Sequence, residues 1–138
     1  MLVWLYKGGK IWSHNDLHPK CTDFVYLLHF DDNTFYIGKK TVRSIRRLKP
    51  TKEQLAIRKN YVRKEMKDLP FINYVGSSSE NEGKVVTKKE ILYMSSNKKT
   101  ASYIEVSELF LRDAIFSKQY TNKNISGTYF DNSLDGLL

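Results

Sequence analysis

Long apolar runs are missing from this chain. None of its 138 residues belongs to a stretch near the roughly 20 needed to cross a bilayer as a helix, so no membrane span is expected. Its single cysteine, Cys21, cannot form an internal disulfide, and the expected setting is a reducing, cytoplasmic one. The first ten residues hold only a five-residue apolar patch (LVWLY) with no small-residue cleavage site, which argues against a signal peptide. There is no G-x-x-x-x-G-K-[ST] loop, no G-x-G-x-x-G and no convincing Ser-His-Asp set, so those enzyme classes have no support. His14, His18 and Cys21 offer three nitrogen and sulfur donors within eight residues. A structural zinc usually takes four, and the favoured reading is loop contacts around a buried thiol. Acidic residues are scarce as well: 15 Asp and Glu stand against 23 Lys and Arg, a net +8.

What is present is a core and a basic cluster. Hydrophobic residues make up 41% and aromatic residues 13%, enough for one domain over 1–138, with an N-terminal arm (1–22) and a polar C-terminal tail (118–138). Residues 39–67 carry twelve Lys and Arg against only Glu53 and Glu65. Clustering of that kind points to a polyanionic partner through counter-ion release on phosphate; a plain solvated face is the competing reading.

Residues 24–30 (FVYLLHF) and 35–38 (FYIG) flank the polar turn Asp31-Asp32-Asn33-Thr34 and read as a β-hairpin. A short helix is expected over 42–48, ending before Pro50. Thr51 with Gln54 forms a capping box that opens a second helix over about 52–67, with Leu55, Val62 and Met66 on one face. Residues 71–75 read as a possible strand, 76–83 as a flexible loop, 88–94 as strand or helix, and 102–117 as a helix. The class is α+β, with a three-stranded antiparallel sheet opened by the hairpin and flanked by helices.

The hairpin carries a resemblance. Phe24-Val25-Tyr26, nine residues, then Tyr36-Ile37-Gly38 resembles the paired strands of GIY-YIG nucleases, with FVY in place of GIY. Arg46 follows Gly38 by eight residues, the offset of the family's essential Arg; Tyr103-Ile104-Glu105 resembles the start of the helix bearing the metal-binding Glu. Asn73-Tyr74-Val75-Gly76-Ser77-Ser78 and YTNKNISG are similar to small stand-alone proteins of this class carried by bacteriophages. The resemblance implies a divalent-metal-dependent DNA endonuclease acting in the cytoplasm of a bacterial host. Tyr26, Tyr36, Arg46 and Glu105 would be catalytic, and Glu105 would hold Mg²⁺ or Mn²⁺. Asn122 and Asn124 would be supporting residues. Gly38, Lys39, Lys40, Arg43, Arg47, Lys64 and Lys67 would contact DNA.

The residues suit that chemistry. Hard ions take oxygen ligands and often only one or two carboxylates. Arg46 offers a permanently charged fork to phosphate oxygens. Tyr36 would act as base or position the water, with Tyr26 supporting it. Each also has an ordinary reading: strand aromatics for Tyr26 and Tyr36, a surface cation for Arg46, a strand-end bulge for Gly38. Glu108 competes with Glu105, but Arg112 at i+4 accounts for it as an ion pair. The alternative function is a nucleic-acid-binding module on the same scaffold with little or no cleavage. The aromatics of the arm (Trp4, Tyr6, Trp12) and the tail suggest a homodimer, against the simpler option that they complete the protomer's own core.

Overall fold

The computed structural model describes residues 2–76, 78–132 and 134. In chain order the strands and helices are β1 (Trp4–Tyr6), β2 (Gly9–Ile11), β3 (Asp23–Phe30), β4 (Phe35–Thr41), β5 (Arg43–Leu48), α1 (Lys52–Ile57), β6 (Arg63–Asp68), β7 (Val86–Ser95), α2 (Lys98–Leu111), β8 (Asn124–Ile125) and β9 (Tyr129–Phe130). The class is α+β. The sheet is larger than three strands: five run in the order β2-β1-β7-β3-β4, with β1 parallel to β7 and the other pairs antiparallel.

β3 lies between two neighbours and is buried on both faces, which is why its sequence is nearly continuous in apolar residues. Side chains alternate across a strand. Phe24, Tyr26, Leu28 and Phe30 pack with Trp4, Ile11, Leu17, Val42 and Phe71 on one side. Val25 and Leu27 join Ile37, Ala101 and Leu109 on the side covered by α2. The N-terminal segment, expected as a short strand or an arm packing on the core, supplies β1 and β2 of the sheet. Trp4 is fully buried, and its Nε1–H donates to Phe71 O at 3.0 Å. The tail adds the short β8–β9 hairpin, while Ser77 of the expected loop, and Ser133 and 135–138 of the tail, lie outside the described residues.

The region between Val42 and Leu69 departs most from expectation. Residues 43–48 are strand, not helix, and pair antiparallel with β6 to form a separate two-stranded ribbon. The Thr51–Gln54 capping box is present, but α1 ends at Ile57. A helix continued to residue 67 would stack Lys59, Arg63 and Lys67 at successive i,i+4 positions, where like charges repel. The ribbon instead sets Met66 opposite Ile45 and Glu65 opposite Arg46. Residues 88–94 are strand, 71–75 form turns, and the last helix runs Lys98–Leu111 followed by a 3-10 turn at Ala114–Phe116.

Candidate active site

Register places Tyr26 of β3 directly opposite Gly38 of β4, and Leu28 opposite Tyr36. The Tyr26 ring leans over Gly38 so closely that a Cβ there would lie 2.5 Å from Tyr26 Oη and 3.0 Å from Tyr36 Cε1. Glycine at 38 is therefore a packing requirement: the absent side chain is the space the tyrosines occupy. The two rings stand 6.4 Å apart between centroids. A third tyrosine joins them from the turn after Phe71. Tyr74 Oη is 3.5 Å from Tyr26 Oη, and Lys40 Nζ sits 4.4 Å from the centre of the Tyr74 ring.

Glu105 enters from α2, half-buried. Among the described residues its carboxylate has no hydrogen-bond partner. Loss of water raises its pKa, and the nearby Lys39 only partly opposes this. Lys39 itself donates to Ser102 Oγ, one helical turn before Glu105, at 2.5 Å. Burial lifts the hydroxyl of Tyr26 far above the usual tyrosine range, helped by its bond to Tyr74 and by the negative charge of Glu105. Tyr36 shifts the same way, first through burial, with a hydrogen bond from Ser78 opposing and the charges of Glu80 and Glu105 adding. Tyr26, Tyr36, Tyr74, Gly38, Lys39, Lys40 and Glu105 thus form one cluster at the β4 edge.

Two residues that stabilise this edge carry no sequence signal of their own. Lys89 is buried on β7. Its Nζ donates to Ile72 O at 2.7 Å and Tyr74 O at 3.0 Å and lies 4.6 Å from the Trp4 ring, so it fixes the turn that presents Tyr74. Burial lowers its pKa. Ser78 is the other. Tyr74 was visible within the NYVGSS phrase, but nothing in sequence linked it to Tyr26, 48 residues earlier.

The remaining expected site residues fall elsewhere. The side-chain amide of Asn122 clamps both sides of one peptide position: Oδ1 accepts from Ile37 N at 3.0 Å and Nδ2 donates to Ile37 O at 2.9 Å. Asn122 therefore seals the edge strand between Tyr36 and Gly38. Asn124 accepts from Gly127 N and donates to Glu80. Arg43 is not available to DNA. Its guanidinium is buried, donating to the carbonyls of His14, His18 and Cys21 and pairing with Asp68. Arg46 is exposed on β5, not on a helix, and pairs with Glu65 at 2.9 Å. Arg47, Lys64 and Lys67 are exposed on the same ribbon. Of the three donors near the N-terminus, His14 is bonded to the carbonyls of Val42 and Leu69, His18 accepts from Lys20 N, and the Cys21 thiol donates to Asp23 O.

Among the described residues no group of three His, Cys, Asp or Glu side chains gathers as a ready-made metal cage. What Glu105 offers is one half-buried carboxylate, only partly offset by Lys39, that acts electrostatically on the phenols of Tyr26 and Tyr36. That all-oxygen donor set fits a hard divalent cation whose shell is otherwise filled by water and substrate. The strand pair thus seats one tyrosine on a glycine with a second tyrosine beside it, and the packed helix contributes a glutamate. The family model described as "Putative endonuclease segE, GIY-YIG domain" matches residues 4–130. The chain belongs to this family of endonuclease domains, and the match runs from the first residue of β1 to the last of β9. No curated protein and no solved structure matches it. No helix among the described residues is long and apolar enough to cross a membrane.

Proposed function

We propose that the chain is a divalent-metal-dependent DNA endonuclease that hydrolyses phosphodiester bonds at the Tyr26–Tyr36–Glu105 cluster. The carrying observation is the half-buried Glu105 carboxylate, without a hydrogen-bond partner among the described residues, on the helix that packs against the strands bearing Tyr26 and Tyr36. Mg²⁺ or Mn²⁺ held by Glu105 would supply Lewis-acid stabilisation of the phosphate and of the departing oxygen. In the reaction a water oxygen attacks phosphorus and the bond to the leaving sugar oxygen breaks; of the water's two protons, one ends on that oxygen as a hydroxyl and the other passes to solvent. Tyr36 is neutral at pH 7 with its pKa raised, so its role is to hold the attacking water by a hydrogen bond, not to deprotonate it. Tyr26, fixed by Tyr74, holds the Tyr36 side of the cluster in place. Lys39 and Lys40 flank the cluster and take phosphate oxygens. Arg46 joins by leaving Glu65, since an ion pair exposed on both sides contributes only about 0–1 kcal/mol.

One site with one ion cuts one strand, so nicking is the expected early product. Pairing of two protomers for a double-strand break has lost Trp4 from its argument, since that ring completes the protomer's own core. A second reading, DNA binding without cleavage, is favoured by one observation: Arg46 lies on the ribbon and not on a helix beside Tyr36. Supercoiled plasmid with Mg²⁺ separates the two. Wild type is expected to nick it, Glu105→Ala to bind without nicking, and Glu108→Ala, whose carboxylate is engaged by Arg112, to nick normally. Undiminished nicking by Glu105→Ala would overturn the assignment, and an inert wild type would leave binding alone.

A further inference from the structure

Outside the tyrosine cluster, the ribbon is the part of the molecule that its own packing does not explain. Residues 43–68 hold ten Lys and Arg against three Asp and Glu, a net +7 of the chain's +8, so the rest of the protein is close to neutral. β5 and β6 form a sheet separate from the main one, and every residue of β6 is exposed. An isolated two-stranded ribbon is marginally stable in water. Its base is nonetheless clamped by Arg43 and by the Leu69 N–H bond to Val42 O. The ribbon is held at one end and bare along its length.

One face of it carries two register pairs, Ile45 opposite Met66 and Arg47 opposite Lys64. Both pairs are unfavourable in water alone. Ile45 and Met66 remain 51% and 45% exposed, and cations placed directly across a ladder repel one another. An anionic partner with apolar groups between its charges reverses both costs.

We propose that the β5–β6 ribbon is a duplex-DNA reading element that enters the major groove with its Ile45–Met66 face toward the base edges. The B-form major groove is about 12 Å wide and admits a two-stranded ribbon, whereas the minor groove at about 6 Å does not. Thymine methyls cover Ile45 and Met66 there, and phosphate or guanine acceptors lie between Arg47 and Lys64. Duplex RNA is excluded as the partner because its major groove is deep and too narrow. The inference rests on the endonuclease reading only for the identity of the substrate, and its test needs no cleavage.

Binding of the full chain to a fluorescent mixed-sequence DNA duplex in EDTA is the measurement. A major-groove competitor (methyl green) should displace the protein, and a minor-groove binder (netropsin) should not. Arg47→Ala/Lys64→Ala should lower the slope of log K against log salt by roughly 2. Ile45→Ala/Met66→Ala should leave that slope unchanged and weaken binding about fivefold. On a duplex with uracil replacing thymine, wild type should fall to the level of that variant. Displacement by netropsin alone, equal affinity for duplex RNA, or wild-type binding by both double variants would overturn the proposal. Plasmid nicking is scored separately, so an inactive enzyme that still shows this competition pattern would sink the endonuclease reading while sustaining the ribbon.

Discussion

The sheet body and the ribbon solve opposite problems with the same backbone geometry. In the body, β3 is covered on both faces, and Trp4, Phe24, Tyr26 and Phe71 meet edge to face at centroid separations of 4.9 to 6.2 Å. Tyr26 can therefore sit over Gly38 with no slack. On the ribbon the side chains face water, like charges stand opposite each other, and only the base is bonded to the body. Bond cleavage needs groups held to within about half an ångström by packed neighbours. Contact with a long polyanion tolerates an element that orders on its partner. The division of charge says the same: nearly all of the surplus is on the loosely held part.

The largest expected effect breaks the body while sparing the ribbon. Glu105→Gln should reduce Mg²⁺-dependent cleavage by on the order of 10³ or more, several kcal/mol of transition-state stabilisation, with duplex binding within about twofold of wild type. Stability should move the other way. A carboxyl whose pKa is raised by folding destabilises the folded state once ionised; the cost is absent below the unfolded value of about 4.3 and fully present above the folded one. At pH 7 the neutral Gln removes it, so thermal denaturation should show a higher Tm for Glu105→Gln. Mg²⁺ should raise the Tm of wild type only. A variant that loses both activity and Tm would mean that Glu105 is a structural residue.

Next in size is the edge of the body. Asn122→Ala leaves both the N–H and the C=O of Ile37 without their partners in a buried position, which should cost about 2–4 kcal/mol at roughly 1–3 kcal/mol per orphaned group, softened if water enters. Asn124→Ala, which loses contacts nearer the surface, should stay within about 1 kcal/mol of wild type. Urea titrations of the two side by side check this, and equal destabilisation would show that the clamp on β4 contributes nothing special.

A smaller contrast separates two neighbouring arginines of β5. Arg43→Ala removes the donor shared by four backbone carbonyls and should cost about 1–3 kcal/mol. It should also speed amide exchange along Arg43–Leu48 and Arg63–Asp68 while leaving Asp23–Phe30 protected. Arg46→Ala, exposed and paired only with Glu65, should change stability by less than about 0.5 kcal/mol. Any effect of Arg46→Ala must then appear in DNA cleavage or binding. Similar losses of stability for the two would erase the distinction between a buried anchor and an exposed ion pair.

Sequence made the body legible and left the ribbon obscure, and the reasons are physical. The FVYLLHF and FYIG runs read as strands because β3 and β4 are fixed by burial, and burial is written as alternation and apolar content. Tyr26, Tyr36, Gly38 and Glu105 could be proposed because three of them lie on one hairpin and the fourth lies in a phrase that resembles the family's late helix. The ribbon has no core to impose a period. Leu55, Val62 and Met66 fit one helical face, yet only Leu55 lies in a helix and Met66 is on exposed strand β6; the separate helix expected over 42–48, with Arg46, is strand β5. Tyr74 and Lys89 stayed hidden because their roles come from contacts made across 48 and 15 to 17 residues of sequence. Trp4 looked like an exposed arm aromatic until the parallel β1–β7 pairing buried it.

The smallest effect concerns the far ends of the two strand pairs, since a short turn locked by side chains joins β3 to β4, whereas β5 and β6 are joined through α1. Asn33 adopts a left-handed φ of 63°. Asp32 Oδ1 accepts from the Thr34 amide at 3.1 Å and from its hydroxyl, while Oδ2 receives Lys84. The hydrogen bond from Lys84, with Thr34 second, holds the Asp32 carboxyl down at about 2. A depressed carboxylate contributes stability that is fully present above its unfolded value of about 3.9 and is lost as pH falls through the folded one. The window is therefore roughly pH 4 to pH 2. Because Asp32 is exposed to solvent, screening keeps the effect small. Asp32→Asn retains the Oδ1 acceptor for Thr34 but not the charge. Tm measured from pH 5 to pH 2 at low salt should fall more steeply for wild type than for Asp32→Asn, and the two curves should converge in 1 M salt. Parallel curves at low salt would show that the turn is held by its backbone alone, and that the difference between the two hairpins lies only in what packs behind them.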